Sequence, residues 1–352
     1  MMHRYCSKLI LLIGFLLFTS LPTKAGGHSE NIEDINVSEF VLEHLADAYE
    51  WHITTLNGHH ISLPLPIIVK SEKSGWHVFS SAHLAHGGKY QNFYINTEKH
   101  NKIYEDGVEE RPLDLSITKN VVEIWLVVII LTTTFLACAR WYRKRTPESD
   151  APGGFVGAVE MLVTTINYDV IKVSMGEKHY KPFAPYLLTV FFFIFTNNLL
   201  GLIPIFPGGA NVTGNINITM VLAVGTMLLV NLTGNREYWK EILWPNVPIW
   251  LKIPPFMPLI ELFGIFTKPF ALMIRLFANM MAGHAMILSF TFVIFITWQI
   301  SATMGSIFTV FSAVLMVFLN CLEILVAFLQ AYVFTLLSAV FIGLSHPEHN
   351  EH

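Results

Sequence analysis

The stretch from Pro258 to Trp298 reads PLIELFGIFTKPFALMIRLFANMMAGHAMILSFTFVIFITW and carries a single arginine, Arg275, near its middle. At a rise of ~1.5 Å per residue, so long an apolar helix exceeds the ~30 Å hydrocarbon layer of a membrane. We therefore expect a membrane helix that is strongly tilted, bent at Pro269 or partly interfacial. A guanidinium at membrane depth costs roughly 2.5–3.5 kcal/mol on insertion scales and keeps its proton. Arg275 is accordingly a candidate functional residue, and a structural pair with a neighbouring helix is the alternative.

The composition of the chain is that of a polytopic membrane protein. Hydrophobic residues make up 53% of its 352 residues and charged residues only 14%, which is far from the balance of a soluble domain. The net charge of −4 argues against a nucleic-acid-binding surface. Cys138 and Cys321 lie in apolar runs and Cys6 precedes one, so neither a disulfide framework nor a cysteine metal site is expected.

Residues 1–25 have the pattern of a cleaved secretory signal peptide. A basic start is followed by a short apolar core from Leu9 to Phe18 and by small residues around Ala25. The alternative is an uncleaved first membrane helix, for which a core of about ten residues is short.

Residues 26–118 are polar and predict a small exported extension of the α/β class in the periplasm. The spacing of apolar residues from Glu39 to His52 predicts an amphipathic helix, and the stretch from Ile61 to Tyr94 predicts short strands. The spacing of His59, His60, His83 and His86 would allow these histidines to bind a metal ion. Exposed histidines are more often solvated than bound to metal, so we predict no metal site.

The rest of the chain predicts an all-α membrane domain of five transmembrane helices and one interfacial helix. The spans are Val121–Ala139, Tyr186–Phe206, Ile216–Leu232, Pro258–Trp298 and Ser306–Leu344, and the interfacial helix is Phe155–Ser174. A basic run from Arg140 to Arg145 follows the first span, and the other basic loops fall on the same side. By the positive-inside rule that side is cytoplasmic, so the N-terminus is periplasmic and residues 347–352 form a cytoplasmic tail.

The last two spans form a long antiparallel hairpin around a turn at Gln299–Gly305, so residues equally far from the turn lie at similar depth. Arg275 is matched in this way with Gln330, and His284 with Glu323. The His/Glu layer lies about 13 Å nearer the periplasm than the Arg/Gln layer. At 100° per residue, one helical stripe carries Glu261, Lys268, Arg275, Asn279 and Ala282, whereas His284 points to the opposite side.

These polar layers have the chemistry of a proton path. A histidine and a glutamate at one depth are a plausible proton relay in a hydrated cavity, and an arginine that keeps its proton is a barrier to such a relay. For His284 alone, a satisfied histidine between packed helices would be the better interpretation, and the matched Glu323 favours the relay.

The motifs of this region resemble those of subunit a of the rotary F-type ATP synthase. They are Lys268-Pro269, RLFANMMAGH from Arg275 to His284, EILVAFLQAYVF from Glu323 to Phe334, and NLLGLIP from Asn198 to Pro204. The resemblance implies that residues 119–346 are the membrane domain of a proton-conducting stator subunit in the bacterial inner membrane, without enzymatic activity or a cofactor of its own. It also implies the transport of H⁺ or Na⁺ and, as partners, the c-ring, subunit b of the peripheral stalk, the rest of the complex and the lipid bilayer.

By position, the resemblance assigns roles to five residues. Arg275 would be the essential arginine, Asn279 and Gln330 its neighbours, and His284 and Glu323 the inlet pair. The mechanism inferred from these roles, with one half-channel on either side of Arg275, makes Glu261 a candidate exit residue. Glu261 could equally be an ordinary charge near a helix start. The chain departs from some relatives by placing His before Glu in the inlet pair and Gly201 where others carry Asp. An ion-coupled secondary transporter or channel is the alternative function, although the internal repeat typical of many such proteins is not found.

Overall fold

The computed structural model describes residues 45–56, 59–84, 88–96, 101–108, 110–145, 151–203, 208–244 and 256–346. The predicted signal peptide and cytoplasmic tail lie outside these residues and stay predictions. The chain divides into two compact units, one of residues 1–35 and 51–63 and the other of residues 36–50 and 64–352. In the first unit, the described residues belong to a two-stranded sheet of β1 (Glu50–Leu56) and β2 (His59–Pro64).

The second unit begins with short antiparallel strands. β3 (Pro66–Ser71) pairs with β4 (Gly75–Ser80) and β7 (Leu113–Asp114), while β5 (Phe93–Asn96) pairs with β6 (Lys102–Glu105). Alternate residues of β3, Ile67 and Val69, are fully buried and pack with Phe93 and Ile103 in a small apolar core. The strands expected between Ile61 and Tyr94 are therefore present.

The amphipathic helix expected from Glu39 to His52 is wrong in its C-terminal part. Leu45 is helical, but the strand β1 begins at Glu50, and residues 39–44 lie outside the described part. The chain leaves the helix because Asp47 accepts a hydrogen bond from the N–H of Asn120 (3.2 Å) at the start of the first membrane helix. An acidic side chain at a helix N-terminus satisfies a free N–H and favours the dipole, and this tertiary contact is invisible in local periodicity.

Tyr49 continues this connection by donating a hydrogen bond from its hydroxyl to Asp114. Burial raises the pKa of Asp114, but hydrogen bonds from Ser116 and Tyr49 outweigh it, so the pKa of this carboxyl lies below its usual value. Asp114 is thus held as an anion where the extension joins the membrane helices.

Among the histidines of the extension, His83 stacks on Tyr90 with ring centroids 4.4 Å apart. The side chains of His59 and His60, and the whole of His86, lie outside the described part. In the residues that are described, no group of three His, Cys, Asp or Glu residues could hold a metal ion.

Seven helices follow within the described residues. They are α1 (Lys119–Arg143), α2 (Gly154–Met175), α3 (Tyr180–Gly201), α4 (Ile216–Thr233), α5 (Arg236–Leu243), α6 (Phe256–Ile300) and α7 (Ala302–Leu344). All except α5 are long and apolar enough to cross a membrane. That is one more than the five spans expected, because α2 also qualifies. The interfacial position of α2 stays a prediction; π-helical turns interrupt this helix from Thr165 to Lys172.

The hairpin of α6 and α7 has a much shorter turn than the expected Gln299–Gly305, since only Ser301 is non-helical. Two contacts explain this. The indole N–H of Trp298 donates to the hydroxyl of Thr309 (2.9 Å), and a Cβ at Gly305 would lie 2.7 Å from the Trp298 ring. Glycine therefore lets the two helices meet directly after their last turns. Pro269 lies inside α6, which continues through it.

The apolar core of the membrane domain forms where α7 packs between α3 and α6. Its buried residues include Leu187, Phe191 and Ile194 of α3, Leu272, Leu276 and Met280 of α6, and Ala331, Phe334 and Ala339 of α7. Small residues on α7 let the neighbouring helices approach closely, as is usual in membranes. The core fixes which face of α6 is covered and which is open.

Candidate functional site

Arg275 lies on the open face of α6. Leu276 and Met280 turn inward and are almost fully buried, whereas Arg275, Asn279 and Ala282 are exposed. Residues three to four positions apart share a helix face, so these three form one exposed stripe in the middle of an apolar helix. The stripe expected from the sequence is thus a surface that this chain leaves open.

The guanidinium of Arg275 forms no ion pair or hydrogen bond with any residue that the structure describes. The structural alternative, an arginine paired with a neighbouring helix, therefore has no support within the described residues. Gln330, expected at the same depth, is partly buried on α7. An arginine at membrane depth requires a partner or water, and Arg275 is exposed to whatever lies outside the described chain.

His284 and Glu323 are brought together where α6 and α7 face each other. The Nδ1 atom of His284 lies 4.0 Å from Oε1 of Glu323, and the two side chains are 14% and 6% exposed. Gly283 makes the approach possible, since a Cβ there would clash with the Glu323 carboxylate. The two residues meet at one depth, as their distances from the turn predict, about 13 Å along α6 from Arg275.

This pair is buried but not fully hydrogen-bonded. Among the described residues, neither Nε2 of His284 nor either carboxylate oxygen of Glu323 has a hydrogen-bond partner. A buried polar atom without a partner costs about 1–3 kcal/mol, and buried water commonly satisfies such atoms in proteins. The pair therefore has the burial and the free hydrogen-bonding capacity of a hydrated proton-transfer site.

The C-terminal end of α3 closes the site on its other side. A Cβ at Gly201 would lie 3.5 Å from Nε2 of His284 and 3.1 Å from the carbonyl oxygen of Ala210. Asn198, one turn earlier, accepts from the Thr213 hydroxyl (2.6 Å) and donates to the carbonyl of Ala327 on α7 (3.2 Å). Asn198 and Gly201 of this motif thus position the wall against which the imidazole packs.

Glu261 lies near the start of α6, far along the helix from the His/Glu pair, and is partly buried. Close by, a pocket is lined by Asn231, Tyr238, Lys268 and Phe341, among others. The hydroxyl of Tyr238 donates to the Asn231 side chain (3.2 Å). Burial and, second, the charge of Glu261 raise the pKa of Tyr238. Several polar side chains thus lie near the opposite end of the Arg275 stripe, beside a pocket whose lining is otherwise mostly apolar.

Comparison with known proteins places this geometry in a family. A family model described as ATP synthase A chain matches residues 121–343. The ATP synthase subunit a of Chlorobium phaeobacteroides (strain DSM 266) is 44% identical over 249 residues, which are 68% of either chain. The chain belongs to the ATP synthase subunit a family. Accordingly it is a multi-pass membrane protein and a membrane-sector subunit of an ATP synthase.

More distant members of the subunit a family also match. ATP synthase subunit a 2 of Chlorobaculum tepidum is 41% identical over 269 residues, covering 74% of this chain and 72% of that protein. Subunit a of Anaeromyxobacter dehalogenans is 35% identical over 277 residues, covering 76% and 67%. A second family model, a domain of unknown function, matches residues 40–125, which include the strands of the extension.

Within this subunit a domain, the structure adds a residue that the sequence analysis missed. Glu123 of α1 is 0% exposed, and its Oε2 atom accepts a hydrogen bond from the N–H of Ala210 (2.9 Å). An acidic residue inside the predicted span Val121–Ala139 was the available signal. Glu123 was missed because it is the third residue of that predicted span, where an acidic side chain is usually an ordinary charge near a helix N-terminus.

Proposed function

We propose that the protein is the proton-conducting stator subunit of an F-type ATP synthase, with one half-channel leading to a ring of c subunits and another leading away from it. The observation that carries the proposal is the exposed Arg275 on the open face of α6, which has no ion pair or hydrogen bond among the described residues. A fixed positive charge in this position fits a partner that brings a carboxylate to it, as each c subunit of a rotary ring does. The chain itself needs neither enzymatic activity nor a cofactor for this role.

The inlet is assigned to the buried pair of His284 and Glu323. Their 4.0 Å separation and their free hydrogen-bonding atoms suit transfer of a proton from periplasmic water to a ring carboxylate. The outlet is assigned to the other end of the stripe, where Glu261 and the pocket beside Tyr238 would lead the proton to the cytoplasm.

Arg275 separates the two half-channels in this mechanism. Its charge favours the ionised form of an approaching ring carboxylate, so the proton of that carboxylate is released toward the outlet. Because a guanidinium does not give up its own proton, it also blocks direct passage from inlet to outlet. Proton flow is then coupled to rotation of the ring. Asn279 and Gln330 are proposed to act beside the guanidinium from α6 and α7, and the transported ion is H⁺ or Na⁺.

The Arg275 stripe is the surface proposed to face the c-ring. Ala278 and Ala282 are exposed beside the arginine, and small side chains let a second helix approach closely. Subunit b of the peripheral stalk and the rest of the synthase are the other proposed partners, and the bacterial inner membrane is the proposed location.

Cross-linking to the ring tests the proposed function. After replacement of the native cysteines by serine, Ala282→Cys is expected to form a disulfide with a cysteine on the outer c-subunit helix. Phe270→Cys is the matched control, since it is also exposed on α6 but lies about 140° around the helix from Arg275. Gentle purification should recover the c-ring and the catalytic head. Absence of the c-ring, or equal cross-linking at both positions, would contradict the proposal.

The orientation is tested with a thiol reagent that cannot cross membranes. Lys73→Cys, exposed in the turn between β3 and β4, is expected to react from the periplasmic side. Lys144→Cys, exposed in the basic segment after α1, should react only once the membrane is opened, since basic flanks stay in the cytoplasm. The reverse pattern would overturn the proposed orientation.

A further inference from the structure

Helix α1 buries two polar residues near its start, Asn120 and Glu123, although most of the helix is exposed and apolar. Its other buried residues are Val127 and Cys138. Glu123 is the charged member of this set. It is fully buried, and its Oε1 atom has no hydrogen-bond partner among the described residues. An ionisable group in such a position is costly in a membrane helix unless it has a function.

A continuous line of contacts leads from Glu123 to the inlet pair. The Oε2 atom of Glu123 accepts from the N–H of Ala210, and the carbonyl of Ala210 faces Gly201. The same Cβ position at Gly201 would also lie 3.5 Å from Nε2 of His284, and the Nδ1 atom of His284 lies 4.0 Å from Oε1 of Glu323. Glu123 therefore belongs to the same polar region as the inlet pair.

Further unpaired polar atoms surround this line. Within the described part of the chain, Oδ1 of Asn120 and Nδ2 of Asn211 are buried without a hydrogen-bond partner. They neighbour Glu123 along α1 and Ala210 along the loop. Together with the free atoms of His284 and Glu323, they provide the several polar partners that a buried water needs.

A purely structural role accounts for only one of the two oxygen atoms of the Glu123 carboxylate. One oxygen satisfies the N–H of Ala210, and the amide oxygen of a glutamine would do this without a titratable group. The second oxygen has no hydrogen-bond partner among the described residues, and a structural role does not explain why this residue is an acid. Both features are accounted for if the group exchanges protons with water on its free side.

We propose that Glu123 is a proton-binding residue of the periplasmic half-channel, placed between the outside water and the His284–Glu323 pair. A proton that binds the free oxygen of Glu123 leaves again toward the pair, so the carboxylate returns to its starting charge after each transfer. This proposal rests on the proposed function, and it assigns a role in the inlet to α1, outside the two long helices.

The first test measures proton-driven ATP synthesis in membrane vesicles. Glu123→Gln keeps the size and the acceptor for Ala210 but cannot bind and release a proton, so we expect a loss of roughly tenfold or more with normal assembly. Glu123→Asp should retain clearly more activity, whereas Glu160→Gln, at an exposed position on α2, should match the unchanged protein. Normal synthesis by Glu123→Gln would overturn the proposal.

Arg275→Ala, measured in parallel, separates this proposal from the proposed function. If Arg275→Ala fails while Glu123→Gln works, the function stands and the role of Glu123 is wrong. If both variants synthesise ATP normally, the proposed function itself has failed.

The second test detects water at Glu123 without relying on synthesis. In an assembled complex without native cysteines, Glu123→Cys is expected to react with a small charged thiol reagent added from the periplasm. Val127→Cys is the matched control, because Val127 is also 0% exposed and lies one turn further along α1. It should stay unlabelled. Equal labelling at the two positions, or none at position 123, would contradict a hydrated path at Glu123.

Discussion

Replacement of Arg275 by alanine is expected to lower proton-driven ATP synthesis by roughly 100-fold or more, the scale at which loss of one preorganised charge acts. The complex should stay assembled, because the guanidinium contacts no described residue by ion pair or hydrogen bond and its side chain is exposed. Synthesis is measured in vesicles energised by respiration, and assembly by co-purification of the c-ring and the catalytic head.

A second substitution at Arg275 tests whether the mechanism needs a charge that cannot be lost or only a positive charge of any kind. Arg275→Lys is expected to fail as well, because a lysine beside a ring carboxylate can shift its pKa and become neutral, which a guanidinium does not do. Arg143→Ala, at an exposed position in the basic end of α1, is the control for loss of a membrane-domain arginine. Substantial synthesis by the Lys variant would contradict the fixed-charge mechanism, and loss of assembly in the Ala variant would favour a structural role.

Much of the membrane architecture could be predicted, because long apolar runs and helix geometry act locally. The hydropathy of the chain located α1, α3, α4, α6 and α7, with ends that differ by several residues at some termini. The meeting of His284 and Glu323 followed from the fixed rise of two antiparallel helices joined by a short turn. These features depend on the period and length of a helix, which a single sequence contains.

The features that were missed depend on contacts between distant segments. The turn between α6 and α7 is short because Gly305 accommodates the Trp298 ring. The residues of the predicted turn, Gln299–Gly305, gave no indication of this contact. The extension leaves its predicted helix because Asp47 binds the start of α1. Glu123 joins the site through Ala210, which lies 87 positions away in the chain. Periodicity cannot identify such pairs, and no local pattern separates Glu123 from an ordinary charge near a helix end.

The geometry of the inlet pair makes an exchange of its two residues informative. The space beside Gly283 on α6 accommodates the side chain from α7, and the space beside Gly201 on α3 accommodates the side chain from α6. Each residue therefore sits in a recess formed by a glycine rather than in a tightly packed core. If the layer needs one acid and one base at a single depth, either helix could supply either member.

Single exchanges are expected to impair proton entry and the double exchange to restore part of it. His284→Glu leaves two acids 4 Å apart at the wild-type spacing, and Glu323→His leaves two bases, so in each case like groups compete for one proton. ATP-driven acidification of vesicles should fall by roughly tenfold or more in each single variant. The double variant should exceed both, because an acid again faces a base across the same gap. Its assembly is checked by the ATPase activity that co-purifies with the complex. If the double variant is slower than both singles while assembly is normal, His284 and Glu323 act at separate sites, and the common inlet layer is wrong.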